Sequence, residues 1–209
     1  PTGSMVIILQ PNFDKIGKMP LWLWEFMAWA GREWNLVQGV YWWSFDCLPL
    51  GGTSRKQGML RRSVKTCVWL GPRNCYRNQD NVLCLPSDVN FAESREDRAL
   101  RRTPSGRTYV AANMTDCVDE RGGSTPFNLL PVAAGGNAAA NNGHPSKTPY
   151  EGAAWWVKYL LPEGGVLLDC FCGSGTMLEA GLDYGAKQVI GIEKEKKYIK
   201  IAEKRIVGV

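Results

Sequence analysis

The sequence predicts an α/β fold built on an open, mostly parallel β-sheet, and two observations lead to that prediction. Residues 166–193 have the pattern of a strand, a glycine-rich turn, a helix and a second strand, which is typical of a βαβ unit. The chain has 209 residues, of which 44% are hydrophobic and 22% charged. These values fit one globular domain or slightly more. No apolar run approaches the roughly 20 residues that a membrane-spanning helix needs.

The first 79 residues predict three strands and one helix. Runs of β-branched and apolar residues predict strands over Val6–Leu9, Val37–Phe45 and Lys65–Leu70, the last two pairing as an antiparallel hairpin. Pro20 precedes a segment that is apolar on nearly all sides, which predicts a well-buried helix over Leu21–Trp34. We expect most of the nine tryptophans to lie in the core, with one or two left to stack on a flat ligand.

The middle of the chain differs in character from both ends. Residues 80–143 lose the apolar periodicity and are rich in polar residues, glycine and proline, ending in the low-complexity stretch Ala133–Gly143. Such a stretch is typical of a flexible linker. A helix is predicted over Tyr150–Leu161, after which the βαβ pattern begins. The sequence therefore divides into residues 1–79, 80–143 and 144–209.

The positive charge is concentrated in one segment. The net charge is only +5, but residues 51–110 contain twelve Lys and Arg against five Asp and Glu, and ten of those twelve are arginine. An arginine-rich segment favours binding of a polyanion, although a solvated surface without a partner is an equal alternative. The candidate contacts to nucleic acid are Arg55, Arg61, Arg62, Arg73, Arg77, Arg101 and Arg102.

The cysteine and histidine content excludes some classes of protein. Seven scattered cysteines do not form the pattern of a disulfide framework, which favours a reducing cytoplasm. His144 is the single histidine, so metal centres that need two histidine ligands are excluded, and we expect no metal.

A ligand site is predicted where the two strands of the βαβ unit end. Asp169 ends the first strand, Phe171–Thr176 forms a tight glycine turn, and Glu193 follows the second strand. Ligands of open α/β sheets bind beyond the carboxyl ends of the strands. Glu193 lies 18 residues beyond Gly175, which suits a carboxylate that accepts hydrogen bonds from two ribose hydroxyls.

The composition of the glycine turn narrows the class of ligand. A dinucleotide site would have a third glycine where Leu178 stands, and no Lys-Ser or Lys-Thr pair follows the glycines, as a phosphate-binding loop requires. A Gly-x-Gly turn flanked by acids, without a diphosphate to bind, fits S-adenosylmethionine. A glycine turn in an unrelated α/β protein is the structural alternative.

The ordered motifs of the last third resemble those of the DNA amino-methyltransferases, the N-4/N-6 DNA methylases. The motifs are His144-Pro145-Ser146-Lys147-Thr148-Pro149, Trp155-Trp156-Val157, Gly165 to Thr176, Val189 to Glu193, and Tyr198 to Ile206. These enzymes methylate the exocyclic amine of adenine or cytosine, and the match is closest to the permuted group in which the catalytic half precedes the cofactor half.

The resemblance implies a Rossmann-like, S-adenosylmethionine-dependent methyltransferase sheet and a set of cofactor-binding residues. Asp169 would lie beneath the methionine amino group and Glu193 would hold the ribose, while the glycine turn shapes the pocket. Thr148 stands where the family has lysine, and Lys147 comes one position early. The implied cofactor-binding residues are His144, Pro149, Asp169, Phe171, Gly173, Ser174, Gly175, Thr176 and Glu193.

The amino-terminal part resembles the family more loosely and lacks its catalytic motif. The resemblance makes residues 1–79 a partial catalytic half, 80–143 an irregular target-recognition insert with a linker, and 144–209 the cofactor half. The family motif (Asp/Asn/Ser)-Pro-Pro-aromatic does not occur, because the sequence contains no Pro-Pro. The central catalytic strand is therefore expected to be missing from an N-terminally truncated, inactive chain. Gln10, Pro11 and Phe13 are the weak catalytic candidates.

The resulting hypothesis is a site-specific DNA methyltransferase from a bacterium or phage, acting in the cytoplasm. It would transfer a methyl group from S-adenosylmethionine to adenine (favoured) or cytosine, on a base flipped out of double-stranded DNA. The family's tendency to dimerise adds a homodimer to the expected partners. The alternatives are a methyltransferase for RNA or a small molecule, and a catalytically dead module that binds DNA or the cofactor.

Overall fold

The computed structural model describes residues 2–11, 18–44, 58, 60, 63–84, 121–132 and 148–207, and the strand backbone of 101–102 and 108–109. The elements, in chain order, are β1 (Met5–Leu9), α1 (Trp22–Glu33), β2 (Leu36–Trp43), β3 (Val64–Leu70), β4 (Arg101–Arg102), β5 (Thr108–Tyr109), β6 (Leu129–Pro131), α2 (Tyr150–Leu160), β7 (Val166–Asp169), α3 (Thr176–Asp183), β8 (Gln188–Gly191) and α4 (Lys196–Val207). A short 3-10 turn covers Gln79–Val82. The chain forms two compact units, one of Gln79–Phe127 and the other of Pro1–Asn78 with Asn128–Val209.

The unit of Pro1–Asn78 with Asn128–Val209 contains two sheets, and the larger one has the strand order β1-β3-β2-β6. β3 lies antiparallel to both β1 and β2, which confirms the predicted hairpin, with Val40 opposite Cys67. The predicted strands and the helix before the βαβ unit are confirmed to within about two residues where the structure describes them.

β6 is a strand that the sequence did not predict. It pairs in parallel with β2 at the edge of the sheet, with Leu129 opposite Tyr41 and Pro131 opposite Trp43. A three-residue strand is too short to show alternation, and it ends in proline, which sheets tolerate at edges. The residue pattern around it therefore resembles a loop.

Helix α1 is more exposed than its composition predicts. Leu23 and Ala30 are its buried residues, and Ala30 packs on Val68 and Leu70 of β3. Only this side of the helix meets the sheet. The expectation of a well-buried helix is therefore wrong, as is the expectation that most tryptophans lie in the core. The buried tryptophans are Trp42, Trp69 and Trp156, whereas Trp22, Trp24, Trp29, Trp34 and Trp43 are exposed.

The smaller sheet consists of the parallel pair β7 and β8, which confirms the predicted βαβ unit. Helix α3 covers one face, where Gly181 lies close to Leu167 and Val189. Val166 and Leu168, on β7, are 56% and 57% exposed. A strand this apolar is usually buried on both faces of a parallel sheet, but within the described residues no helix covers the second face of β7.

An apolar slot separates the two sheets. β1 pairs with β3 alone and β7 with β8 alone among the strands that the structure describes, so each has one unpaired edge. A cavity of about 470 Å³ lies between them. We call it the inter-sheet slot, and the residues that define it are Ser4, Val6, Ile8, Trp156, Val166 and Leu168.

No helix in the described part of the chain is long and apolar enough to cross a membrane.

Candidate functional site

The candidate site lies where β7 and β8 end side by side. Asp169 is opposite Gly191 in the parallel register, and Glu193 follows two residues later. The main chain ties the two strand ends together, since Ile192 N donates to Asp169 O (2.9 Å) and Cys172 N donates to Ile192 O (3.0 Å). The glycine turn and the residues after β8 are thus held as one unit.

Backbone amides orient both carboxylates of the site. Glu193 Oε2 accepts a hydrogen bond from Gly173 N (3.1 Å) and Oε1 accepts one from Glu195 N (2.9 Å). Asp169 Oδ1 accepts a hydrogen bond from Phe171 N (3.0 Å). Each carboxylate therefore has a fixed position before any ligand is bound.

The site is electrostatically suited to a cation. Burial raises the pKa of Asp169, the Phe171 N–H opposes that rise, and the negative charge of Glu193 adds to it. Burial and the two carboxylates also raise the pKa of the Cys172 thiol. A positively charged group beside Asp169, such as the ammonium group of an amino acid, would stabilise the ionised carboxylate and lower its pKa.

The glycine turn depends on its two glycines for different reasons. Gly173 and Gly175 both have positive φ angles, +52° and +79°. A Cβ at Gly175 would lie 3.0 Å from Cβ and 3.1 Å from Cα of Ala202, on α4. At Gly175 the missing side chain therefore makes room for a helix, in addition to any room for a ligand.

The other predicted turn residues divide into exposed and buried side chains. Phe171 is 91% exposed, whereas Ser174 and Thr176 are each 3% exposed. Thr176 Oγ1 accepts a hydrogen bond from Arg205 Nη1 (2.5 Å) behind the turn. Pro149 is buried and directly precedes α2, while His144 lies outside the described residues.

Sequence reasoning assigned no role to two contacts that hold the site's helices. Arg205 Nε lies 3.3 Å from Glu179 Oε2, and the Tyr150 hydroxyl donates to Asp183 Oδ2 (2.6 Å). That hydrogen bond, with burial and nearby acids, raises the pKa of Tyr150 to about 12. No local sequence signal could have found pairs separated by 26 or more residues.

The candidate DNA contacts are only partly within the described residues. Arg73 and Arg77 are exposed, and Arg77 Nη1 lies 3.6 Å from Cys75 Sγ. Arg101 and Arg102 form β4, paired antiparallel with β5. Arg55, Arg61 and Arg62 lie outside the described residues.

The weak catalytic candidate directly follows β1. Gln10 is exposed, and its Nε2 donates to Val64 O at 3.5 Å; Pro11 is half-buried and Phe13 lies outside the described residues. Among the described residues, no group of three or more His, Cys, Asp and Glu could hold a metal ion.

The comparison with protein families decides the identity of the chain. The family described as DNA methylase, N6/N4 type, matches residues 1–204. The chain belongs to this DNA methylase family. Type II methyltransferase M.ScaI of Streptomyces caespitosus is 26% identical over 196 residues, which are 94% of this chain and 57% of that protein. Type II methyltransferase M.BglI of Bacillus subtilis is 41% identical over 66 residues, 32% of this chain and 19% of that protein.

Solved structures confirm the α/β methyltransferase fold of this DNA methylase. The PvuII DNA methyltransferase (cytosine-N4-specific) superposes with a TM-score of 0.65 at 15% identity, covering 99% of this chain and 71% of that one. The M1.HpyAVI–SAM complex gives 0.58 at 15% identity, covering 99% and 75%. The match covers 57% of the length of M.ScaI and 19% of the length of M.BglI, so the chain spans only part of these curated relatives.

Proposed function

We propose that this DNA methylase binds S-adenosylmethionine and transfers its methyl group to the exocyclic amine of adenine, or alternatively of cytosine, in double-stranded DNA. The observation that carries the proposal is the pair Asp169 and Glu193, held by backbone amides at neighbouring ends of parallel strands, around a glycine turn. The M1.HpyAVI structure was solved with S-adenosylmethionine, which supports the same ligand for this fold.

The chemistry of the site residues fits the proposed cofactor, which supplies an electrophilic methyl group. Asp169 would pair with the ammonium group. Burial raises the pKa of this carboxyl, and a neighbouring positive charge would stabilise its ionised form. Glu193 would accept hydrogen bonds from the ribose hydroxyls, because a carboxylate has about four acceptor sites. Phe171 offers an exposed ring for the flat adenine. His144, Pro149, Gly173, Ser174, Gly175 and Thr176 complete the proposed site.

We further propose that in the active enzyme the inter-sheet slot holds a strand carrying the Pro-Pro-aromatic motif that these 209 residues lack. The unpaired edges of β1 and β7 offer main-chain hydrogen bonds that a strand satisfies. Trp156 Nε1 and Ser4 Oγ are buried at the slot without hydrogen-bond partners among the described residues. A strand parallel to β7 would deliver the motif to the edge where Asp169 lies. The chain alone would then be catalytically inactive.

The proposed target-recognition region is residues 80–143, much of which lies in the unit Gln79–Phe127, and the arginines of residues 51–110 are the proposed DNA contacts. Arginine suits both phosphate and guanine edges, and a flipped base would enter the site while this region reads the duplex. Within this unit Arg121 Nη2 pairs with Asp80 Oδ1 at 2.7 Å, and both side chains remain accessible to solvent. A homodimer and a cytoplasmic location in a bacterial or phage-infected cell complete the proposal.

The test of this proposal is a titration of the chain with S-adenosylhomocysteine, followed by a methylation assay on a version that carries the missing motif. We expect saturable binding to the chain and transfer of label to duplex DNA by the extended version. Digestion to nucleosides and mass spectrometry would then identify N6-methyladenine or N4-methylcytosine. Transfer to RNA alone, or binding without transfer, would favour the two alternatives, and a folded chain that binds no cofactor analogue would contradict the proposal.

A further inference from the structure

Helix α4 packs against the glycine turn. Ala202, which is buried, fills the space that a side chain at Gly175 would need. One turn further along α4, Arg205 reaches α3 with a side chain that is 9% exposed. A nearly buried arginine needs partners for its charge, and both of its partners lie in the first turn of α3.

Arg205 makes two contacts in different directions. Its Nη1 donates to Thr176 Oγ1, and its Nε lies 3.3 Å from Glu179 Oε2. Gly175 precedes α3 and has no side chain with which to cap the helix, so this arginine fixes the side chains of the first turn instead. The planar guanidinium can make both contacts at once, whereas a lysine ammonium is a point charge on a flexible stem.

The main chain and two hydrogen bonds connect Thr176 to the Glu193 carboxylate. Thr176 follows Gly175, whose N–H donates to Cys172 O (2.7 Å), closing the turn. Within that turn Gly173 N–H donates to Glu193 Oε2. A shift of Thr176 would therefore displace the amide that orients the Glu193 carboxylate.

We propose that Arg205 is a positioning residue, which holds the glycine turn in the geometry that binds the cofactor by fixing Thr176 and Glu179. The inference rests on the proposed function, because it assigns to Arg205 an effect on the affinity for that cofactor.

The test compares the affinity of the 209-residue chain for S-adenosylhomocysteine with that of Arg205→Met, Arg205→Lys and the control Lys204→Met. Lys204 is an exposed cation on the same helix. We expect Arg205→Met to weaken binding about 3- to 30-fold, the range of a residue that acts through others. Arg205→Lys should lie between Arg205→Met and the wild type, and Lys204→Met should bind as the wild type does. Wild-type affinity in Arg205→Met would overturn the inference.

A second arm separates positioning from general stability. If Arg205 acts through Thr176, the losses of affinity in Arg205→Met and Thr176→Val should not add in the double variant, measured at a temperature at which every variant is folded. Additive losses would overturn the inference. If Arg205→Met does not fold, Glu179→Gln, which removes only the ion pair, should still weaken binding, and unchanged affinity there would overturn it. A wild-type chain that binds no cofactor analogue would instead overturn the proposed function and this inference together.

Discussion

Asp169 is the residue whose charge links the stability of this protein to its proposed ligand. Its pKa in the folded chain is above the usual value, so ionisation of the carboxyl opposes folding. The folded state is favoured by this group below the unfolded pKa of about 3.8, and that contribution is lost as the pH rises through the folded pKa. Asp169→Asn keeps an oxygen that can accept the Phe171 N–H bond and removes the charge. We expect the variant to melt at a higher temperature than the wild type at pH 7, with the difference vanishing near pH 3. An equal difference at both pH values would contradict this assignment.

The same carboxyl makes a prediction about the pH dependence of binding. A ligand ammonium group pairs with the ionised form, so affinity for S-adenosylhomocysteine should rise with pH through the raised pKa of Asp169 and then level off. Calorimetric titration between pH 4 and pH 7 measures this rise. The control ligand is 5′-methylthioadenosine, which lacks the amino-acid group and should bind without the rise. Parallel profiles for the two ligands would exclude the ammonium contact.

Glu193 orients the turn as well as offering acceptors to a ligand. Glu193→Gln retains one carbonyl oxygen, so one of the amides of Gly173 and Glu195 loses its acceptor and faces an NH₂ group. We expect a loss of about 1 kcal/mol in the free energy of unfolding and a loss of cofactor binding. Urea denaturation and titration with S-adenosylhomocysteine measure the two effects. A variant that binds as tightly as the wild type would refute the proposed ribose contact.

At the scale of elements, Gly175 and Gly185 form a matched pair of positions. Both have φ near +80°, so alanine at either site carries the same left-handed strain. A Cβ at Gly175 meets Ala202 on α4, whereas a Cβ at Gly185 meets nothing within 4 Å. We expect Gly175→Ala to destabilise the chain by about 1–3 kcal/mol more than Gly185→Ala, measured by chemical denaturation. Equal losses would mean that α4 moves away at no cost.

The elements of the βαβ unit could be predicted from the sequence because their signals are local. An apolar run, two glycines with positive φ, and a second run with two β-branched residues place each element within a residue or two. Burial could not be predicted in the same way. Val166 and Leu168 are apolar, but burial of that face needs a partner element, and none in the described residues covers it. For the same reason the apolar composition of α1 did not predict that all three of its tryptophans are exposed.

The position of Asp169 and Glu193 at neighbouring strand ends was predictable, whereas the contacts behind the glycine turn were not. Asp169 and Glu193 could be found because they follow strands at a fixed spacing. The contact of Arg205 with Thr176 spans 29 residues and depends on how α4 crosses α3, which no local pattern records.

At the scale of the whole molecule, the inter-sheet slot predicts a pattern of hydrogen exchange. The main-chain amides of β3, which lies between two strands, should exchange slowly in the chain alone. Amides on the unpaired edges of β1 and β7 should exchange faster. In a version extended by the proposed catalytic strand these groups should become protected, while β3 stays unchanged. NMR measures each signal, and edge amides that remain unprotected in an active extended enzyme would place the strand elsewhere.

The unpaired edges of β1 and β7 also predict that the isolated chain associates in solution. An edge with no charged residue turned towards it is a template for another chain, and Val6, Ile8, Val166 and Leu168 offer only apolar side chains there. Molecules of the isolated chain should therefore associate edge to edge, so that the apparent molar mass measured by light scattering rises with protein concentration. Soluble yield would then report on the slot, because any polypeptide that occupies it removes the template and keeps the chains apart.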